Sequence, residues 1–317
     1  MLDRRDFINS SALSAAALFI KPGYFSDPAL IEKIGIQFFS LPKLLDTDFR
    51  AAISMLGKMG YKEAELYGPY PFSTDQAKKG WDAVTPSLGF KGSGFFGLTA
   101  TEARKILNDN GLSIPSIHTD LDTLEHSMDK LGEAGHDLGN DFVVLPAIPP
   151  TKRKTLDDYK KMAESFNSIG AAAKKVGLKF AYHNHGYGLK PMEGKIPLNI
   201  ILDGTDSSLV FLEMDLYWTT AGGADPIALL EKYKGRYRLM HVKDMASKVQ
   251  FSGDGGDPKQ WIELFPYMTT AGSGVLDLKT ILPRAKSSGV SHFIVEQDMV
   301  AGPEVALKKS FDYLASL

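Results

Sequence analysis

A regular alternation of two apolar patterns constrains this chain more than any other feature. Eight short β-rich runs occur at Ile34–Phe39, Glu63–Tyr67, Ile114–Thr119, Phe142–Ala147, Lys179–His185, Leu209–Leu216, Arg238–Asp244 and His292–Gln297. Between them apolar residues recur at helical spacing. Examples are Phe49–Leu56, Ala103–Leu107 (opened by Thr101, with Glu102 in the first turn), Leu121–Leu138, Leu156–Val176, Pro226–Tyr233, Leu276–Ser287 and Pro303–Leu314. Gly60, Gly111, Gly177 and Gly289 stop helices just before a strand run. Strands that alternate with helices pair in parallel, because each crossover returns the chain to the same edge direction. The expected fold is therefore α/β, a closed (β/α)8 barrel, with a doubly wound open sheet as the alternative. The first strand-to-helix turn reads Phe38-Phe39-Ser40-Leu41-Pro42 and lacks the glycine-rich phosphate fingerprint, which weakens a dinucleotide-binding sheet.

Domain boundaries follow from the same pattern. Residues 1–30 stand outside the alternation: Arg4-Arg5-Asp6-Phe7-Ile8 precedes a short Ala- and Ser-rich run, Ser11 to Ile20. A basic start before a short apolar segment reads as an export signal, and the paired arginines resemble a twin-arginine signal. An exported, periplasmic protein is the expectation, with an ordinary N-terminal helix as the alternative. Residues 31–317 then form a single barrel domain, close to the roughly 250 residues typical of a barrel plus an insertion. That insertion is the stretch 68–98, rich in Gly, Pro and aromatics, without strong periodicity. It follows the second strand, on the face where barrel loops build active sites, and reads as a substrate-covering flap or a self-packed surface loop.

Composition excludes several chemistries. The 317 residues contain no cysteine, so disulfides, thiolate zinc sites, iron–sulfur clusters and a thiol nucleophile are ruled out. A formal net charge of −2 provides no electrostatic footprint for nucleic acid. No run is long and apolar enough for a stable membrane span. Any metal must be held by His, Asp or Glu.

Those residues sit at the strand ends. The fifth run ends Tyr182-His183-Asn184-His185, the sixth passes Glu213 and Asp215 to Trp218, the seventh ends His241-Val242-Lys243-Asp244, and the eighth ends Val295-Glu296-Gln297-Asp298. Glu65 lies on the second run, and His118 ends the third. Alternate strand residues share a face, which pairs His183 with His185, Glu213 with Asp215, and His241 with Lys243. A barrel gathers all these ends on one rim. Buried charges there need partners, either each other or a metal. Glu213 paired with Lys243 is one such internal arrangement. Mixed imidazole and carboxylate donors suit one divalent ion such as Mn, Zn, Co or Mg. His126, His136 and His292 read as surface residues.

Together, Tyr182-His183-Asn184-His185, Met214-Asp215-Leu216-Tyr217-Trp218, His241-Val242-Lys243-Asp244, Gly272-Ser273-Gly274 before Leu276-Asp277, and Val295-Glu296-Gln297-Asp298 resemble the sugar phosphate isomerase/epimerase family of xylose isomerase-like TIM barrels. The resemblance implies a divalent metal, often Mn, held by Glu, Asp, His and Glu from consecutive strands. Asp215, His241 and Glu296 match the last three. The strand-five Glu has no match; His185 takes its place in our reading, with His183 or Glu213 as competitors.

The implied activity is metal-dependent proton abstraction beside the carbonyl of a sugar or keto-glycoside through an enediolate, leading to isomerisation, epimerisation or β-elimination. Glu296, His183 and Lys243 are the catalytic candidates. Glu65, His118, Asn184, Glu213 and Trp218 are the candidate substrate contacts, with Trp218 as an apolar face for the ring. A metal-dependent glycoside hydrolase and a non-catalytic sugar-binding barrel are the rival readings. The expected partner is a small carbohydrate, and the protein is expected to be a monomer or homodimer.

Overall fold

The computed structural model describes residues 29–317; the N-terminal export signal expected from Arg4-Arg5 lies outside them. Among the described residues ten strands occur: β1 (Ile34–Gln37), β2 (Glu63–Tyr67), β3 (Ser116–His118), β4 (Phe142–Leu145), β5 (Lys179–His183), β6 (Val210–Asp215), β7 (Tyr237–Val242), β8 (Asp244–Met245), β9 (Met268–Thr269) and β10 (His292–Val295). Eight of them close into a parallel barrel in the order β1-β10-β7-β6-β5-β4-β3-β2. Each barrel strand coincides with one of the eight β-rich runs. The open-sheet alternative is excluded by the β1–β10 pairing that closes the ring. The pair β8 and β9 forms a small antiparallel ribbon outside the barrel.

The strands face two cores. Phe142, Val144, Ala181, Leu239 and Ile294 pack with Phe211 inside the barrel. Their alternates, including Val143, Phe180, Leu212, Met240 and Val295, join the main core beneath the helices. This is the period-two alternation of a barrel strand. Continuing the inner series toward the strand C-termini gives His183 after Ala181, Glu213 and Asp215 after Phe211, His241 and Lys243 after Leu239, and Glu296 after Ile294. The apolar lower layers therefore set which way the polar upper residues point.

The helices show where local signals were sufficient. Phe49–Met59 buries Phe49, Ala52, Ile53 and Leu56, an i, i+3, i+4, i+7 stripe, and starts at Asp48, whose side chain accepts the Ala51 N–H. The helix expected after Thr101 begins earlier, at Ala100, with Thr99 and Glu102 forming a capping box. Leu121–Leu138 is two helices, Leu121–His126 and Met128–Leu138, broken at Ser127. The 68–98 stretch is not irregular throughout: Asp75–Leu88 is a 14-residue helix capped by Thr74. Thr85 is its single buried residue, so it lacks the core-facing stripe that reveals a helix in sequence.

His292 is not a free surface residue. It is half-buried at the N-terminal end of the barrel, with Nδ1 3.0 Å from Glu63 Oε2.

Candidate active site

At the C-terminal end of the barrel, five carboxylates, three imidazoles and one ammonium are packed together: Glu65, Glu213, Asp215, Glu296, His118, His183, His241 and Lys243 are buried, and Asp298 is half-buried. Glu65 forms the floor. Its Oε1 accepts from Gln37 Nε2 at 2.7 Å and lies 3.0 Å from His118 Nε2 and 2.7 Å from His241 Nε2. Its Oε2 accepts the Ser116 hydroxyl. Glu213 Oε2 sits 2.8 Å from His118 Nε2, 2.9 Å from His183 Nδ1 and 3.5 Å from His241 Nε2. The His118 and His241 rings stack with centroids 5.3 Å apart.

Above this floor, Asp215, His241 and Glu296 bring one donor atom each to within 4.8 Å of one another. Asp215 serves two purposes. Its Oδ1 caps the following helix by accepting the Trp218 N–H at 2.7 Å, which fixes the side chain. Its Oδ2 is left for the site, 3.6 Å from His183 Nε2 and 3.9 Å from His241 Nδ1. Lys243 Nζ reaches Asp215 Oδ2 at 3.0 Å, Glu296 Oε2 at 2.6 Å and Asp298 Oδ2 at 2.8 Å. Glu213, the partner suggested for Lys243 by sequence, instead pairs with imidazoles. The stagger between β6 and β7 decides this, since Asp215 rather than Glu213 stands level with His241.

The charge balance is tense. Five carboxylates face one permanent cation. Burial disfavours charge on every group, but the surrounding carboxylates override it for His118, raised to about 9, and for His241, raised well above the usual range. Burial and Glu65 push Glu213 up, while burial pushes Asp215 up against the pull of Lys243. Burial, with Glu296 adjacent, lifts Asp298 to about 6. For Glu296 burial is outweighed by Lys243 and His241, which hold it well below the carboxylate range. Protons on His118 and His241 thus provide the missing positive charge.

A divalent cation fits this donor set. Glu213 Oε1 and His183 Nε2 are buried without a hydrogen-bond partner, and Asp215 Oδ2 has the Lys243 ion pair but no aligned hydrogen bond. A dication held by Asp215, His241 and Glu296 would replace the imidazolium charge and release its protons. His118, His183, Glu213 and His241 form a second, overlapping group of suitable geometry. His185 belongs to neither group. It lies beyond the end of β5, its ring 4.7 Å from that of His183 and 5.1 Å from that of Trp261. Burial and the nearby Lys243 lower it to about 3, so it is neutral, with Nδ1 unpartnered.

The cluster opens into a cavity of 520 Å3. Of the residues expected to contact substrate, His118 and Trp218 line it, while Glu65 and Glu213 lie beneath the imidazoles. Asn184 does not line it. Its amide donates to Tyr182 Oη and the Tyr187 carbonyl and accepts from the Gly186 N–H, so it shapes the loop after β5. Gly186 is at φ +85°, and a Cβ there would collide with the Trp218 carbonyl. Of the catalytic candidates, Glu296 lines the cavity; His183 and Lys243 support it from below. Glu296 Oε2 is anchored by His241 and Lys243, leaving Oε1 for the cavity.

Sequence reasoning gave no role to Gln37, Thr119 or Asp298 and missed the aromatic wall formed by Phe39, Trp261 and Phe265. Asp257-Pro258 is a cap-and-proline signal, like the Asp225-Pro226 pair that opens Pro226–Lys232, and marks the helix Pro258–Leu264 that carries Trp261. Asp244, quoted only as a motif residue, accepts the N–H groups of Gly272 at 2.9 Å and Gly274 at 3.0 Å and so ties that turn to the end of β7.

A closed (β/α)8 barrel with a buried His/Asp/Glu cluster at the strand C-termini is a framework that can hold a divalent metal. The profile of the xylose isomerase-like TIM barrel matches residues 73–317, and the chain belongs to that family. Inosose dehydratase of Clostridium beijerinckii is 25% identical over 206 residues, 64% of this chain and 66% of that relative's length. The structure of a sugar phosphate isomerase/epimerase from Parabacteroides distasonis superposes with a TM-score of 0.70 at 24% identity, covering 92% of this chain and 96% of that one. The IolI protein with a bound zinc atom superposes with a TM-score of 0.60 at 15% identity, covering 90% and 95%. Among the described residues no helix is long and apolar enough to cross a membrane.

Proposed function

We propose that the protein is a divalent-metal-dependent enzyme that moves a proton at the carbon beside a carbonyl in a sugar or keto-glycoside. The observation that carries this reading is the convergence of Asp215, His241 and Glu296 at and beneath the floor of a cavity, with His183 Nε2 unpartnered beside Asp215. His183 is the favoured fourth ligand over His185. Glu213 holds its Nδ1, which fixes the tautomer that leaves Nε2 free. Mn is our first choice of metal, with Zn, Co and Mg as alternatives; imidazole and carboxylate donors accept all four.

When bound, the metal polarises the carbonyl and makes the neighbouring C–H more acidic. The chain's own residues do the rest. Glu296 Oε1 faces the cavity and takes the proton, while Lys243 and His241 keep Oε2 fixed. His118 and the neutral His185 meet substrate hydroxyls, and Trp218 provides an apolar face beside them. Inososes are keto-polyols, and the inosose dehydratase relative supports a carbonyl-bearing substrate. Export to the periplasm, proposed from Arg4-Arg5 and the apolar run after it, suits a glycoside more than a phosphorylated sugar.

The test is solvent deuterium exchange. Metal-loaded protein in D2O should wash deuterium into the position beside the carbonyl of an inosose or a 3-keto-glucoside, and Glu296→Gln should abolish the exchange. No exchange into any such compound, with metal demonstrably bound, refutes the reading.

A further inference from the structure

The walls of the cavity do not match its floor. The floor is polar: His118, Glu296 and Asp298. Two helices from distant parts of the chain form the cavity's apolar jaws. Asp75–Leu88 contributes Trp81 and Val84; Pro258–Leu264 contributes Trp261 and Ile262. Both indoles are fixed in place. Trp81 Nε1 donates to the Lys91 carbonyl at 2.9 Å and Trp261 Nε1 to the Gly255 carbonyl at 2.8 Å. Their polar atoms are engaged, so the jaws present ring surface rather than hydrogen-bonding groups.

Val84 is 44% exposed and Ile262 62% exposed. Neither is needed to fill the core, and an exposed apolar rim around a cleft marks a ligand-binding surface. The volume of 520 Å3 also lies within the roughly 300–1,000 Å3 range of pockets that enclose drug-sized ligands. A free polyol would gain no direct hydrogen bond from these walls, whereas an apolar group would bury surface against them.

Resting on the carbohydrate reading above, we infer that the substrate is a glycoside with an aromatic or apolar aglycone. The sugar ring sits on the polar floor, and the aglycone is clamped between the Trp81/Val84 and Trp261/Ile262 jaws. The upper cavity is continuous with the floor, so one molecule spans both. Specificity for the aglycone resides in the two helices, while the chemistry resides in the barrel.

The experiment compares binding of methyl and phenyl 3-keto-glucopyranosides, both anomers, and of a 3-keto disaccharide to metal-loaded protein by calorimetry. The phenyl glycoside should bind at least about tenfold tighter than the methyl one, the gain expected for burying one aromatic ring. Val84→Asp and Ile262→Asp alter exposed positions, so the fold is retained. Each should lower phenyl-glycoside affinity several-fold and narrow its advantage over the methyl glycoside. Equal affinity for methyl and phenyl glycosides, or a disaccharide bound as tightly as the phenyl glycoside, overturns the inference and leaves the carbohydrate reading standing. Binding of none of the three refutes the carbohydrate reading and this inference with it.

Discussion

Lys243→Met is the perturbation that probes the site's electrostatics most sharply. Lys243 lies fully buried with Asp215, Glu296 and Asp298 at 3.0, 2.6 and 2.8 Å. At an effective dielectric near 20, each pair carries on the order of 5–6 kcal/mol of gross attraction. Dehydrating the ammonium and crowding three carboxylates offset most of that sum. The net loss on removing one partner of a buried pair is about 3–5 kcal/mol, because uncompensated charge remains behind. For a domain of this size that corresponds to a fall in Tm of about 5–8 °C. The sign with pH follows. Without Lys243, Asp215 and Asp298, which burial already raises, lose the ammonium that lowers them, so their folded-state pKa values rise further above the unfolded ones. The penalty from these two groups grows as pH rises through their folded pKa values. Urea denaturation in EDTA across pH 4–8 should therefore show a deficit that is larger at pH 8 than at pH 4. Adding MnCl2 should shrink it, since a dication supplies part of the missing charge. A deficit below about 1 kcal/mol at pH 8, or one independent of pH, refutes Lys243 as the counter-charge of the cluster.

Three further outcomes follow from the geometry. Asp215→Asn should keep the Trp218 N–H cap and fold normally but lose metal, measured by elemental mass spectrometry, whereas Asp215→Ala should lose metal and also about 1 kcal/mol of stability. His183→Ala should lower metal content, and His185→Ala should leave it unchanged; the opposite pattern would restore His185 as the strand-five ligand. Gly186→Ala should destabilise by about 1–3 kcal/mol, because φ +85° is strained for alanine and its Cβ meets the Trp218 carbonyl, and it should shift the tryptophan fluorescence.

The barrel was legible because its strands are buried on both faces and read as continuous apolar runs, which set the polar terminators in relief. Asp215, His241 and Glu296 stand out as charged or imidazole groups at the ends of such runs, and the structure gathers them. Pairings between strands were not legible. Lys243 meets Asp215 and Asp298 rather than Glu213, a matter of stagger that no single strand encodes. Asn184 looks like a binding residue in sequence, yet its hydrogen bonds all go to the adjacent loop. The helix Asp75–Leu88 escaped notice because it faces the cavity with Trp81 and Val84 instead of presenting a stripe to the core. His292 and Glu63 are separated by 229 residues and meet only because β10 and β2 flank β1.

The central claim is that Asp215, His241 and Glu296 hold one divalent ion beneath the cavity. Anomalous scattering from crystals grown with MnCl2 tests it directly. A single peak about 2.0–2.3 Å from Asp215 Oδ2, an oxygen of Glu296 and a nitrogen of His241, with His183 Nε2 as the fourth protein donor, is the predicted result. No peak at saturating metal, or a peak that omits Asp215 and Glu296, would contradict the account.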